Sequence, residues 1–285
     1  MSKTTRNLII FTAVSLSSGF IGMAVNRLNP PADPMQGLGT LIWLVLPMVT
    51  GLLLRAFGGD GWQDAGFKFN LKTGWYWYLV ALAIPPIVTL LVMVPAGLAD
   101  AISLDGLMAQ GVGAFLGLAA VTFAGSMVKN IFEEFAWRGY LAPRFEAARL
   151  HPFANAALTG FIWAGWHVPY YLYFLDRQTL MEHTPLSLPV FILSAFVLLP
   201  FHALAYNELR FISGSVWPVW LLHNVANGIN LSLVAGGFMV LDRSIAGTLL
   251  SPGTEGILFS LIMGLVGFML YRQRRQQETA VANGN

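Results

Sequence analysis

Eight apolar runs of about 20 residues dominate this chain, and each is long enough to cross the hydrocarbon core of a bilayer as a helix. They cover 8–26, 36–55, 74–98, 114–146, 153–175, 186–209, 216–238 and 254–272. The runs are too long, and alternate too little, for the strands of a membrane barrel. Composition agrees: 56% of the 285 residues are hydrophobic and 11% are charged, against roughly 25% charged in a soluble domain. Such a chain cannot cover a surface that faces water. This excludes a disordered chain, a nucleic-acid binder and a secreted disulfide scaffold. The absence of cysteine removes disulfides, thiolate zinc sites and cysteine nucleophiles. The expected fold class is all-α: one polytopic membrane domain over residues 1–285, with about eight transmembrane helices and a short polar tail at 273–285.

Lysine and arginine set the orientation of such helices. With the N-terminus inside, eleven of the sixteen fall in inner segments and three (Arg27, Arg177 and Arg243) in outer ones. The remaining two, Lys129 and Arg138, lie within the fourth run. Both termini are therefore expected in the cytoplasm. The first run follows Lys3 and Arg6 as a signal peptide would. It is nevertheless long for a signal core and no small-x-small cleavage site follows, so it reads as a membrane helix.

The fourth run also holds Glu133 and Glu134, giving four charges within ten residues. At a helix centre each costs about 2.5–3.5 kcal/mol to insert, so four unpaired charges would cost on the order of 10 kcal/mol, a whole domain's net stability. Intramembrane charges of this kind are functional or mutually paired. Spacing divides the two carboxylates. Glu134 and Arg138 are four apart and share a face, as do Lys129 and Glu133, whereas Glu133 points about 100° away from Glu134. Two intrahelical ion pairs would account for the cluster structurally.

Histidines on two further runs favour chemistry. His167 lies in the fifth run, before Pro169. If the fourth and fifth runs form a hairpin turning near Ala147–Pro152, Glu133 and His167 both lie about 21–22 Å along their helices at 1.5 Å rise per residue. A carboxylate and an imidazole at matching depth can share one water. In the seventh run His223 and Asn227 are four apart on one face, while Asn224 lies elsewhere. As a structural alternative, His and Asn also serve as interhelical hydrogen-bonding glue. Pro218 and Pro169 are expected to bend their helices. Asn207, Glu208 and Arg210 read as solvated boundary residues at the inner end of the sixth run, and His151 and His183 as loop residues. His202 is ambiguous.

The ordered motifs Glu133-Glu134-Phe135-Ala136-Trp137-Arg138, Trp163-Ala164-Gly165-Trp166-His167 and His223-Asn224-Val225-Ala226-Asn227 resemble the CPBP (Abi) family, the type 2 CAAX prenyl endopeptidases and their bacterial relatives. The likeness spans residues 114–238, the expected catalytic core. One departure is visible: the family usually has Phe four residues before the second-motif histidine, and this chain has Trp163, another aromatic to wall the site. The resemblance implies a glutamate-dependent intramembrane endopeptidase in a prokaryotic cell membrane. Glu133 would draw a proton from water that His167 polarises. His223 and Asn227 would stabilise the oxyanion, and Glu134 with Arg138 would support them. The substrate would be a hydrophobic or lipidated peptide or membrane-protein segment.

No organic cofactor is implied, since no phosphate-binding glycine loop occurs, and no nucleic-acid partner is expected. Metal-free chemistry is the expectation. Zinc held by Glu133, His167 and His223 is the rival, because that donor set suits it, although His-Glu-x-x-His on one helix is absent. Two other functions compete: a non-enzymatic scaffold or bacteriocin-immunity protein, and a proton-coupled transporter. The presence of all four presumed catalytic residues opposes the first. A transporter calls for ionisable groups through both halves of the bilayer, and the first three runs carry none in their centres.

Overall fold

The computed structural model describes residues 2–182, 184–253 and 256–283; His183 lies outside them. Helices α1 (Lys3–Leu28), α2 (Leu38–Ala56) and α3 (Leu71–Leu98) come first. A short α4 (Asp105–Gln110) leads into α5 (Val112–Ala136), which continues through a π-helical turn, Trp137–Leu141, into α6 (Ala142–Ala147). Then α7 (Pro152–Pro169) widens into a second π-helical turn, Tyr170–Phe174, followed by α8 (Arg177–Glu182) and α9 (Leu188–Ser213). The chain closes with α10 (Trp217–Ala235), α11 (Ile245–Leu249) and α12 (Ile257–Ala282). A two-residue antiparallel ladder pairs β1 (Ile102–Ser103) with β2 (Val240–Leu241).

The protein is thus an all-α polytopic membrane protein. Among the described residues six stretches are long and apolar enough to cross a bilayer: α1, α2, α3, the continuous 112–147 stretch, α9 and α12. The sequence reading of about eight spans also counted α7 and α10. These two carry the polar side chains His167, His223, Asn224 and Asn227, which lower their apolarity. Residues 273–282 are the last turns of α12.

Local chemistry sets the helix ends. Pro152 opens α7 in the first turn, where its missing N–H costs nothing, and His151 Nδ1 accepts from the Phe153 N–H at 3.4 Å. Pro218 likewise sits in the first turn of α10. It starts that helix, and the expected bend does not occur.

Close helix packing then assembles the bundle. α1 meets α2 where Gly22 and Gly39 touch backbone to backbone, leaving no room for a Cβ on either. α2 is fixed to α7 by a reciprocal pair: Trp43 Nε1 donates to the Trp166 carbonyl at 3.0 Å, and Trp166 Nε1 donates to the Trp43 carbonyl at 3.2 Å. Trp43 also stacks on Tyr170 and Phe174. α9 packs between α7 and α12, and α10 packs on α5 and α3.

One end of the bundle is polar and latched. Asn7 on α1 donates to the Gly58 carbonyl and Asp60, while Arg144 on α6 pairs with Asp60 and Asp64. Arg274 on α12 pairs with Glu208 and Glu146. The start of α1 and the end of α12 therefore share this end. Asn207, Glu208 and Arg210, read from the sequence as solvated, are all buried. Asn207 faces Asn155 and Thr159 on α7, Glu208 is held by Arg274 on α12, and Arg210 by the Asp64 carbonyl of the 57–70 connection. Gly66, at φ +69°, lies so close to the Arg210 guanidinium that any Cβ would collide with it.

Candidate active site

The second half of α5 (Val112–Ala136) buries Asn130, Glu133 and Glu134, and both glutamates are at most 2% exposed. Glu133 is held at both oxygens. Oε1 accepts from Lys129 Nζ at 2.6 Å, one helical turn away, and Oε2 accepts from Trp163 Nε1 on α7 at 3.1 Å. Lys129 itself remains one-third exposed.

Glu134 sits on the neighbouring face and makes different contacts. Its Oε1 accepts from His223 Nδ1 on α10 at 2.8 Å and from Arg138 Nη1 at 3.3 Å. The Arg138 guanidinium lies against both the Trp163 and Tyr206 rings, at 4.5 and 4.6 Å. A cation–π pair of this kind compensates part of a buried guanidinium's lost hydration. Both ion pairs expected from the spacing are therefore formed, and Glu134 additionally reaches His223.

The π-helical turn lies directly after these glutamates and contains Arg138. Such a turn loosens the backbone hydrogen-bond ladder and often marks a functional position. Two buried arginines from elsewhere take the freed carbonyls. Arg55 donates to the Gly139 carbonyl through Nε at 3.0 Å and Nη2 at 2.6 Å, and Arg210 Nε donates to the Arg138 carbonyl at 3.2 Å.

Ring hydrogen bonds fix the histidine tautomers. His167 Nδ1 lies 2.9 Å from the Trp163 carbonyl; a carbonyl only accepts, so Nδ1 carries the hydrogen and a neutral ring leaves Nε2 as the acceptor. His223 Nδ1 likewise carries the hydrogen that it donates to Glu134. Asn227 Nδ2 donates to Asn130 Oδ1 at 3.3 Å, Asn130 Nδ2 to Asn224 Oδ1 at 3.2 Å, and Asn224 Nδ2 to the Trp220 carbonyl at 2.7 Å. Asn224, which spacing left aside, is thus a member of a ladder that orients Asn227.

Glu133, His167, His223 and Asn227 all line one cavity of about 500 Å³, together with Lys129, Trp163 and Tyr206. Its wall is mainly apolar, from residues such as Leu199, Leu222, Phe259 and Met263. Glu134 and Arg138 sit behind that wall. Ambiguous from sequence, His202 also faces the cavity, with Nε2 3.0 Å from Ser260 Oγ. Sequence reading missed Asn130 and Tyr206, whose signals are a buried amide one turn before Glu133 and an aromatic two turns after Pro200.

Residues 115–229 match the family described as Type II CAAX prenyl endopeptidase Rce1-like. This segment is similar to the CAAX endopeptidases. The matched segment runs from α5 through most of α10 and includes all three motifs. The likeness over this segment supports, in general terms, an intramembrane endopeptidase of the CAAX type. No curated protein matches the chain at a significant level. Among the described residues no group of three or more His, Asp or Glu side chains is placed to hold a metal ion.

Proposed function

We propose that the protein hydrolyses a peptide bond in a hydrophobic or lipidated substrate with a water activated by Glu133. The observation that carries this reading is the convergence of Glu133, His167, His223 and Asn227, from three separate helices, on one cavity. The water would lie between the Glu133 carboxylate and His167 Nε2. Glu133 takes its proton as the oxygen attacks the scissile carbonyl, and general-base help of this kind contributes typically about 10²–10⁴-fold. The proton passes from Glu133 to the leaving amine as the tetrahedral intermediate collapses.

Asn227 Nδ2 and a protonated His223 would donate to the oxyanion, each donor worth about 3–4 kcal/mol. His223 spends its Nδ1 hydrogen on Glu134, so its Nε2 donates only from the imidazolium, for which Glu134 is the counter-ion. Arg138, packed against two aromatic rings, keeps Glu134 in register. The apolar wall suits an apolar or lipid-modified segment. We place the latched end, with both termini, in the cytoplasm.

One observation favours the non-enzymatic alternative, a scaffold or immunity protein: Glu133 is already paired with Lys129, as a purely structural cluster requires. Comparing peptide and protein-terminus profiles of cells expressing wild type or Glu133→Gln, at matched levels, separates the two. Cleavage products confined to the wild type support the peptidase. Identical profiles with an unchanged cellular phenotype support the scaffold.

A further inference from the structure

Trp163 occupies the position where the resembling family carries Phe, and here the difference has a hydrogen bond attached. Its Nε1 donates to Glu133 Oε2 at 3.1 Å, a contact that phenylalanine cannot make. Its carbonyl accepts from His167 Nδ1 at 2.9 Å. One residue therefore fixes both groups that would hold the attacking water: the carboxylate through its side chain and the imidazole through its backbone. Its ring also covers Arg138 at 4.5 Å and meets His223 edge-on at 5.9 Å.

The geometry points to Trp163 as a positioning residue for Glu133, one whose indole N–H selects the carboxylate orientation for proton abstraction. This rests on the general-base reading given above. Lys129 cannot take over the role, because a flexible ammonium that is one-third exposed supplies charge with little directional control. The indole belongs to a rigid ring that is 3% exposed, packed against Tyr206 and backed by α7. It holds one oxygen while leaving the carboxylate's remaining lone pairs open to the cavity.

Trp163→Phe removes the donor and part of the buried ring, while an aromatic face near Arg138 and the carbonyl bond to His167 remain. The test uses the full-length protein in detergent micelles, with isotope-labelled tryptophan. The cleavage probe is an internally quenched peptide ending in a farnesylated cysteine and three further residues. Losing a hydrogen bond to a charged group predicts a fall in kcat of about 10–100-fold with KM changed less than about 2-fold. Glu133→Gln is expected to move the Trp163 indole N–H resonance more than that of any other tryptophan. Wild-type kcat in Trp163→Phe, while Glu133→Gln is dead, overturns the positioning role and leaves the base intact. An unmoved indole resonance overturns the contact, and decides the matter if Trp163→Phe does not fold. Glu133→Gln cleaving at the wild-type rate, or a wild type that cleaves nothing, defeats the general-base reading and this role with it.

Discussion

His223 on α10 donates its Nδ1 hydrogen to Glu134 Oε1 on α5 across 2.8 Å, and Arg138 reaches the same oxygen. The first glutamate of the motif faces the cavity, whereas the second joins two helices from behind it. Adjacent carboxylates thus have different work because successive residues on a helix point about 100° apart.

Removing Glu134 leaves Arg138 and His223 without their shared carboxylate in a buried setting. Breaking one partner of a buried pair costs roughly 3–5 kcal/mol. Glu134→Ala is therefore expected to unfold at markedly lower denaturant or temperature in detergent than the wild type. Glu134→Gln, which keeps an acceptor oxygen, is expected to lose less. Equal stability of all three proteins would remove the linking role.

The amide ladder separates direct from indirect contributions. Asn227→Ala, which deletes an oxyanion donor, predicts a fall in kcat of about 10²–10³-fold. Asn130→Ala releases Asn227 and also frees Asn224 Oδ1, but of these only the bond to Asn227 bears on the oxyanion donor, and one neutral hydrogen bond is worth about 1 kcal/mol, or roughly 5–10-fold. Steady-state kinetics on the same peptide checks the order, and a larger effect at Asn130 would contradict it.

Arg55 makes two hydrogen bonds to the Gly139 carbonyl inside the π-helical turn. A buried acceptor left unsatisfied costs about 1–3 kcal/mol. Arg55→Met is expected to destabilise the protein by that order and to open the 57–70 connection to proteolysis, because the pairing with Asp64 is lost as well. Limited proteolysis of purified protein, with the cut sites mapped, checks this outcome.

Glu133, His167 and His223 meet around a cavity without forming a three-ligand group among the described residues. A strong chelator added to purified protein is expected to leave cleavage unchanged. Activity lost with chelator and restored by zinc would contradict the metal-free reading.

Much of this was legible in the sequence, for reasons of period. Long apolar runs announce the long helices, and spacing of four residues gives Lys129–Glu133 and Glu134–Arg138 directly, because both pairs lie within one helix. The matched depths of Glu133 and His167 followed from rise per residue and one short turn. What escaped were partners distant in sequence. The π-helical turn at Trp137–Leu141 depends on Arg55 and Arg210, on other helices, and leaves no trace in hydropathy. Asn207, Glu208 and Arg210 looked solvated because proximity to a helix end says nothing about the helices and connection that meet it there. Trp163 counted as an aromatic wall, since a sequence shows the ring and not the acceptor that its N–H finds. The sequence counted two more spans, α7 and α10, than the six long apolar stretches, because both carry polar residues that lower their apolarity.

The central claim is that Glu133 activates the water. It is tested most directly by single-turnover cleavage of the farnesylated quenched peptide by purified protein in liposomes, comparing wild type with Glu133→Gln at equal folded concentration. The account predicts that the glutamine variant binds the peptide with wild-type affinity and cleaves at least about 100-fold more slowly. Cleavage by Glu133→Gln at a rate near that of the wild type would contradict it.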